Sequence, residues 1–476
     1  MARKYLLAAL PLLLFAGGCS MNPHLDIPAP LVAATYPGAT AADTVTSADI
    51  QWRAMFGDAR LQRLIEIALS ENRDLRVATL QAQEARAQFR IARAAILPTG
   101  EIQGTYTRNR VPSSVAGAGV GIDPNEGATR GVEFGQFGVQ AALTSFEIDL
   151  FGRIRSQTQA AFERYLATDE GRRAARIAVI GAVADAYLNE RLAAEQLRLT
   201  ETTLTDWRAS LDLTRKLHDA GQVGGPDVAQ AEGLVRQAEA DREQRVREVA
   251  QAANALTLAV GSPVPTNLPT AIGLMDQPVR TQLAAGLPSD LLLRRPDILQ
   301  AEHELRAANY DVGAARASLF PRISLTGAFG FASLGLSNLF SGANQNWNVS
   351  PQVSIPVLQP QAPGALAAAR VRTNIAVANY ERAVQTAFRE VADGLAGRET
   401  FQRQRTAQGE AASVAQRRLM QTNLRFRAGV DSRLELLDAQ RTEYTARQNL
   451  LEVRRAELSS AVALFRALGG GADEGE

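Results

Sequence analysis

Residues 320–357 read FPRISLTGAFGFASLGLSNLFSGANQNWNVSPQVSIPV, and the interpretation of the whole chain turns on them. After Pro321, residues Ile323, Leu325, Gly327, Phe329 and Phe331 fall on one face of an extended segment. Arg322, Ser324, Thr326, Ala328 and Gly330 fall on the other. A second run, Trp347 to Val357, alternates likewise: Trp347, Val349, Val353, Ile355 and Val357 against Asn348, Ser350, Gln352 and Ser354. Period-two alternation marks a strand with one apolar face. About ten tilted residues of this kind also cross the hydrocarbon of a bilayer. Taken alone, the pair reads as a half-buried hairpin of a water-soluble sheet.

The pattern is written twice. NRDLRVATLQAQEARAQFRIARAAILPTGEIQGTY, from Asn72, aligns with RPDILQAEHELRAANYDVGAARASLFPRISLTGAF, from Arg295. Asp74 meets Asp297, Arg93 meets Arg316, Pro98 meets Pro321 and Gly104 meets Gly327 at one constant offset. Behind Pro98, Ile102, Gly104 and Tyr106 alternate with Glu101, Gln103, Thr105 and Thr107, and a partner strand runs through Phe137, Val139, Ala141 and Leu143. Val183-Ala184-Asp185 recurs as Val391-Ala392-Asp393, and Ala220-Gly221 as Ala428-Gly429. The chain is one duplicated unit.

Each unit carries a very long helical stretch. No proline interrupts the chain between Pro124 and Pro226, nor after Pro363, and both segments are rich in Ala, Arg, Glu, Gln and Leu. The expected helices cover about 155–219 and 226–260 in the first repeat, and about 364–428 and 432–468 in the second. The expected strands cover about 101–109, 134–146, 322–332 and 347–357. A helix of some sixty residues is a rod of roughly 90–100 Å. The rods end at HDAGQVGGPDV and FRAGVDSRLEL, glycine turns from which a second helix returns. In the last helix Leu437, Tyr444, Leu451, Leu458 and Phe465 recur every seven residues, as Val228, Val235, Val249 and Leu256 do in the first half, interrupted by Arg242. That spacing predicts coiled-coil packing. The repeats thus span 50–260 and 295–468, with a linker over 261–294 and a flexible tail over 469–476.

The N-terminus is an export signal. Arg3 and Lys4 precede the apolar run Tyr5 to Phe15, too short for a spanning helix, and Ala16-Gly17-Gly18 leads to Cys19. Residues 1–18 are the expected signal peptide, and 19–49 an anchor followed by an extended, proline-containing tether. Cys19 is the chain's one cysteine, which excludes an internal disulfide or a cysteine-based metal site. With 51 basic against 50 acidic residues in 476, no strong field for nucleic acid exists.

Four strands cannot close a barrel, and an open sheet edge in lipid leaves backbone groups unpaired. An exported chain with these strands needs further copies to close the sheet. Three copies supply twelve strands, an allowed number for an outer-membrane barrel.

GLPSDLLLRRPDI (Gly286 to Ile298), EIDLFGR (Glu147 to Arg153) and RAGVDSRLELLDAQR (Arg427 to Arg441) resemble the signatures of the outer-membrane factor family, in its lipoprotein branch. The similarity runs from about Trp52 to Leu468. It implies an α+β membrane protein: a homotrimeric, twelve-stranded outer-membrane β-barrel continued by a periplasmic α-helical barrel, with a mixed equatorial region. It further implies the exit duct of a tripartite efflux pump. The partners it brings are a periplasmic adaptor and an inner-membrane efflux transporter of the RND type, and no cofactor or metal is implied. The Ala-Gly-Gly-Cys stretch resembles the bacterial lipobox, so Cys19 is expected to be acylated and held in outer-membrane lipid.

By the same resemblance Leu434 and Asp438, four residues apart on one helix face, match the family's periplasmic constriction. Three Asp438 carboxylates around one axis would favour cations locally. Ser432 and Glu435 form a capping box at the start of this helix. The first repeat has Pro226 and Gln230 at the matching places, so the constriction comes from one repeat. Gly221 and Gly429 mark the tips, and Arg425 and Arg427 are expected to pair across protomers there.

Catalytic motifs are missing: there is no G-x-x-x-x-G-K-[ST], no H-E-x-x-H and no G-x-S-x-G. His24, His218 and His303 are scattered, and the GAGVG run at Gly117 to Gly121 lies between strands. Two alternatives stay open at this point, a duct for type I protein secretion and a periplasmic coiled-coil adaptor without membrane strands.

Overall fold

The computed structural model describes residues 20–27, 32, 33, 35, 36, 50–112, 132–284, 286 and 294–470. The expected signal peptide, Cys19, the GAGVG run, most of GLPSDLLLRRPDI and the residues after Gly470 lie outside the described residues. The elements are α1 (Trp52–Met55), α2 (Ala59–Glu71), α3 (Arg73–Ala94), β1 (Thr99–Val111), β2 (Val132–Ile148), α4 (Arg153–Asp219) and α5 (Gly225–Val260). They continue as α6 (Pro296–Ala317), β3 (Arg322–Ser333), β4 (Gln345–Ser354), α7 (Ala362–Arg427) and α8 (Arg433–Ala467). No described helix is long and apolar enough to cross a membrane. The chain divides into two compact units: residues 1–27, 84–165 and 304–377 in one, and the remainder in the other.

The first unit is built on a four-stranded antiparallel sheet ordered β1-β2-β3-β4. The alternation seen in the sequence lines up across every pairing. Tyr106 opposes Phe137, Ile102 opposes Ala141, Val139 opposes Phe331, Phe329 opposes Trp347 and Ile323 opposes Val353. Residues opposite one another share a face, so one side of the sheet is continuously apolar. The other side pairs Gln103 with Gln140, Ser324 with Gln352 and Thr326 with Ser350. The apolar side is bare within the chain: Ile102 is 82% and Trp347 71% exposed. β1 and β4 are edges, each with one ladder unpaired.

Aromatic pairs mark two levels of the sheet. At the helix-proximal end Phe151 stacks on Phe320 at 4.8 Å; farther along, Phe331 meets Phe340 at 5.6 Å and Tyr106 meets Phe137 at 4.6 Å. About a dozen residues separate the levels, which at a barrel tilt spans roughly 28 Å, close to a hydrocarbon thickness. β4 stops at Ser354, short of the expected Val357. Pro356 has no N–H to pair and restricts Ile355 before it.

The motif EIDLFGR joins strand to helix. Arg153 donates to both oxygens of Glu147 (3.0 and 2.6 Å), and Asp149 accepts from the backbone N–H of Arg155 at 2.8 Å, serving the exposed first turn of α4. The described residues 21–23 are held in place. The Ser156 hydroxyl donates to Asn22 (2.9 Å), and Asn309 donates to the Pro23 carbonyl (3.0 Å). Gly313 leaves the room for this: a Cβ there would sit 1.7 Å from the Asn22 carbonyl oxygen.

In the second unit a buried carboxylate ties the start of the fold together. Asp58 caps α2, accepting from the Arg60 N–H (2.8 Å), and takes further bonds from the Tyr187 hydroxyl (2.7 Å) and Gln277 (3.0 Å). Trp52, Met55 and Phe56 are fully buried, and Phe56 meets Phe465 of α8 edge-on at 6.0 Å. Tyr36 of the tether stacks on Phe388 at 5.0 Å. The seven-residue pattern points inward: Leu437, Tyr444, Leu458 and Phe465 are buried, as are Val235 and Leu256. Gly469 and Gly470, expected to open the tail, are buried, and their N–H groups close the end of α8 on Arg466 and Phe465.

Candidate functional site at the helix turns

α4 and α7, of 67 and 66 residues, are each about 100 Å long. They end in the same way. The Gly221 N–H bonds to the His218 carbonyl and the Gln222 N–H to Leu217, both at 2.8 Å. Gly429 bonds to Phe426 and Val430 to Arg425, both at 2.9 Å. These paired bonds satisfy the last free carbonyls of each helix and need a left-handed residue. Gly221 and Gly429 have φ of +70° and +75°, and nothing lies within 4 Å of a Cβ at either. Glycine is required there for backbone conformation, not for space.

The return helices start on side-chain caps. Ser432 and Glu435 exchange bonds, Ser432 N–H to Glu435 at 2.9 Å and Glu435 N–H to the Ser432 hydroxyl at 3.3 Å. In α5 the Gly224 N–H bonds to Asp227 at 3.0 Å, and Pro226 stands in the first turn, where no N–H is needed.

Above the turns, Leu199, Leu204, Trp207 and Leu211 of α4 pack with Ala231, Val235 and Ala238 of α5 and with Tyr444 of α8. Trp207 and Tyr444 meet edge-on at 5.8 Å, and Tyr444 shares a 2.8 Å hydrogen bond with Thr200. α4 is thereby fixed to both return helices.

Leu434 is 61% exposed, one turn before Asp438. Asp438 does not present a bare carboxylate. It accepts from Arg418 of α7 at 2.8 Å and from Arg441, one turn along α8, at 3.3 Å. Within one chain each Asp438 carboxylate is thus shared by two guanidinium groups. Within its own chain Arg425 donates to Asp431 at 2.7–2.8 Å. Its partner lies six residues away, across the turn. Arg427 is exposed.

Sequence reading missed Arg433. Its side chain is buried and donates to the Ser210 hydroxyl (2.6 Å) and carbonyl (3.2 Å) of α4, with its Cζ 5.3 Å from the Phe426 ring centre. Burial pushes its pKa down, opposed by Asp227. A cation at a helix N-terminus runs against the dipole, so nothing local signals it.

An apolar-faced sheet with two open edges, in a chain whose long helices run to capped glycine turns, is the build of an outer-membrane channel subunit. Comparison with known proteins gives the particular family. Residues 64–262 and 287–470 match the outer membrane efflux protein family. The chain is 41% identical over 462 residues to the antibiotic efflux pump outer membrane protein ArpC of Pseudomonas putida, covering 96% of this chain and 93% of that protein. It is 40% identical, with the same coverage, to the toluene efflux pump outer membrane protein TtgC of Pseudomonas putida. Among solved structures, the open state of the Neisseria gonorrhoeae MtrE outer membrane channel superposes with a TM-score of 0.87 at 35% identity, covering 95% of this chain and 99% of that one. The chain belongs to the outer membrane efflux protein family and is the outer-membrane component of an efflux pump.

Proposed function

We propose that three copies of this chain join their sheets into a twelve-stranded barrel, continued by a periplasmic helical barrel, and serve as the exit duct of a tripartite pump. One observation carries this: four antiparallel strands with a continuous bare apolar face and two open edges. The bare face suits lipid, but the open edges are not tolerable there until they pair. The duct takes small molecules from an inner-membrane transporter of the RND type through a periplasmic adaptor, and conducts them passively. The toluene and antibiotic named for the relatives support small apolar or amphipathic cargo over secreted protein.

Cys19 is acylated and anchors the N-terminus in outer-membrane lipid. The seating of Met21, Asn22 and Pro23 against α4 and α6, with the Met21 carbonyl 3.5 Å from Arg316, supports an anchor near the start of β3. Leu434 and Asp438 form the periplasmic gate, with Asp438 clamped by Arg418 and Arg441 until the tip dilates. The Gly221 and Gly429 turns, with Arg425 and Arg427, are the surface that the adaptor meets.

The test is reconstitution of the purified protein in planar bilayers. The expected mass is that of three chains, and replacing Leu434→Ala and Asp438→Asn together raises single-channel conductance. A single-chain particle, or unchanged conductance, removes the duct or the gate respectively.

A further inference from the structure

The apolar side of the sheet changes character at one end. On β1 it runs through Ile102, Gly104 and Tyr106 and then reaches Arg108 and Arg110. The register fixes this side without reference to exposure: Tyr106 opposes Phe137, Arg108 opposes Gly135 and Arg110 opposes Glu133. Because side chains alternate between faces, both arginines share the side of Ile102 and Ala141. The polar side of β1, Glu101, Gln103, Thr105, Thr107 and Asn109, carries no basic residue. Among the described strand residues, Arg108 and Arg110 are the basic ones on the apolar side; Arg322 of β3 lies on the other. At the offset that relates Gly104 to Gly327, the second repeat has Phe331 and Ser333 in their places. The basic pair therefore belongs to one repeat and is not a by-product of the duplication.

Height along the strand matters as much as side. Tyr106 and Phe137, 4.6 Å apart, mark the aromatic level far from the helices. In tilted strands Arg108 lies about 5 Å beyond that level and Arg110 about 10 Å beyond it. Hydrocarbon gives way to headgroups over that interval. The two guanidinium groups share one carboxylate there. Glu133 accepts from Arg108 at 3.1 Å and stands 3.8 Å from Arg110. The three side chains are 70%, 67% and 46% exposed for Arg108, Arg110 and Glu133. Most of the guanidinium N–H donors and one net positive charge are left for another acceptor. Tyr106 leans the same way: a Cβ on Gly135, opposite Arg108, would come 2.9 Å from its hydroxyl.

We propose that Arg108 and Arg110 bind the phosphate of a phosphorylated glycolipid in the outer leaflet, its acyl chains lying along Tyr106, Phe137 and Ile102. Guanidinium forks match phosphate oxygens in pairs, and the bare strand face below accepts the chains. A phosphate monoester on a sugar carries more charge and more free oxygens than the diester of a phospholipid, which suits two adjacent guanidiniums. Glu133 keeps the pair side by side and competes with the phosphate for it. This rests on the sheet's place in the outer-membrane duct and adds a lipid site to its outer rim.

Native mass spectrometry of the full chain in neutral detergent tests it, with bisphosphorylated lipid A as the probe. The protein retains this lipid about tenfold better than dephosphorylated lipid A. Arg108→Gln with Arg110→Gln removes the preference. Glu133→Gln strengthens retention about threefold by freeing donors, and Arg322→Gln, on the other side of the sheet, leaves it unchanged. Conductance in planar bilayers shows that each variant is assembled. Equal retention of the two lipids by a conducting protein, or a preference that survives the double substitution, overturns the site and leaves the duct standing. Displacement by inorganic phosphate, or equal retention of phosphatidylglycerol, overturns the glycolipid as occupant. A protein that neither conducts nor retains lipid overturns duct and site together.

Discussion

If the proposed gate operates, replacing Arg418→Ala should open it, by an amount that the geometry bounds. Arg418 reaches Asp438 at 2.8 Å from a different helix, with the two side chains 49% and 39% exposed. An ion pair this exposed is worth about 0.2–1 kcal/mol. In the proposed three-chain duct, three such pairs lost together amount to roughly 0.6–3 kcal/mol, or about a 3- to 150-fold shift toward the open tip at 1.4 kcal/mol per tenfold. Arg441 provides the control. It sits three residues from Asp438 on the same helix, at 3.3 Å, and moves with it. Arg441→Ala should therefore leave opening almost unchanged. Single-channel recording gives the open probability of each variant in parallel. At about 1 M salt, where charges are screened beyond about 3 Å, the difference should shrink. Equal opening by the two variants would refute the argument that the bond between helices holds the tip closed.

Two further outcomes follow from placement. Trp347 lies on the bare apolar face, whereas Trp52 is fully buried and Trp207 nearly so. Brominated lipid should quench part of the tryptophan fluorescence, and Trp347→Phe should abolish that part; quenching that survives the substitution would put the face elsewhere than in lipid. Burial raises the pKa of Asp185 above its ordinary 3.8, against the pull of Ser459, Arg455 and Arg466. Because the folded pKa is the higher one, this group's favourable contribution is complete below about pH 3.8 and is lost as pH rises through the folded value. Asp185→Asn should thus raise the melting temperature of the helical circular-dichroism signal at neutral pH and leave it unchanged in acid. A lower melting temperature at neutral pH would count against this.

Much of the architecture is written locally. The alternation around Ile323 and Trp347 and the proline-free runs are properties of neighbouring residues. So are the Ser432–Glu435 cap and the left-handed demands of Gly221 and Gly429, and each survives folding because its partner is within a few positions. The duplication was legible for the same reason, since equivalent residues keep their local setting in both copies.

What the tertiary structure decided are the partnerships between distant segments. Nothing near Asp438 announces Arg418 on another helix, nothing near Arg433 announces Ser210, and nothing near Gly313 announces Asn22. The pairing of β2 with β3, which fuses the two repeats into one sheet, is likewise a choice made in space. A side chain's alternation, cap or turn depends on the backbone beside it, whereas its charge partner depends on which helices are brought within about 3 Å, and that distance is set by the packing of the whole.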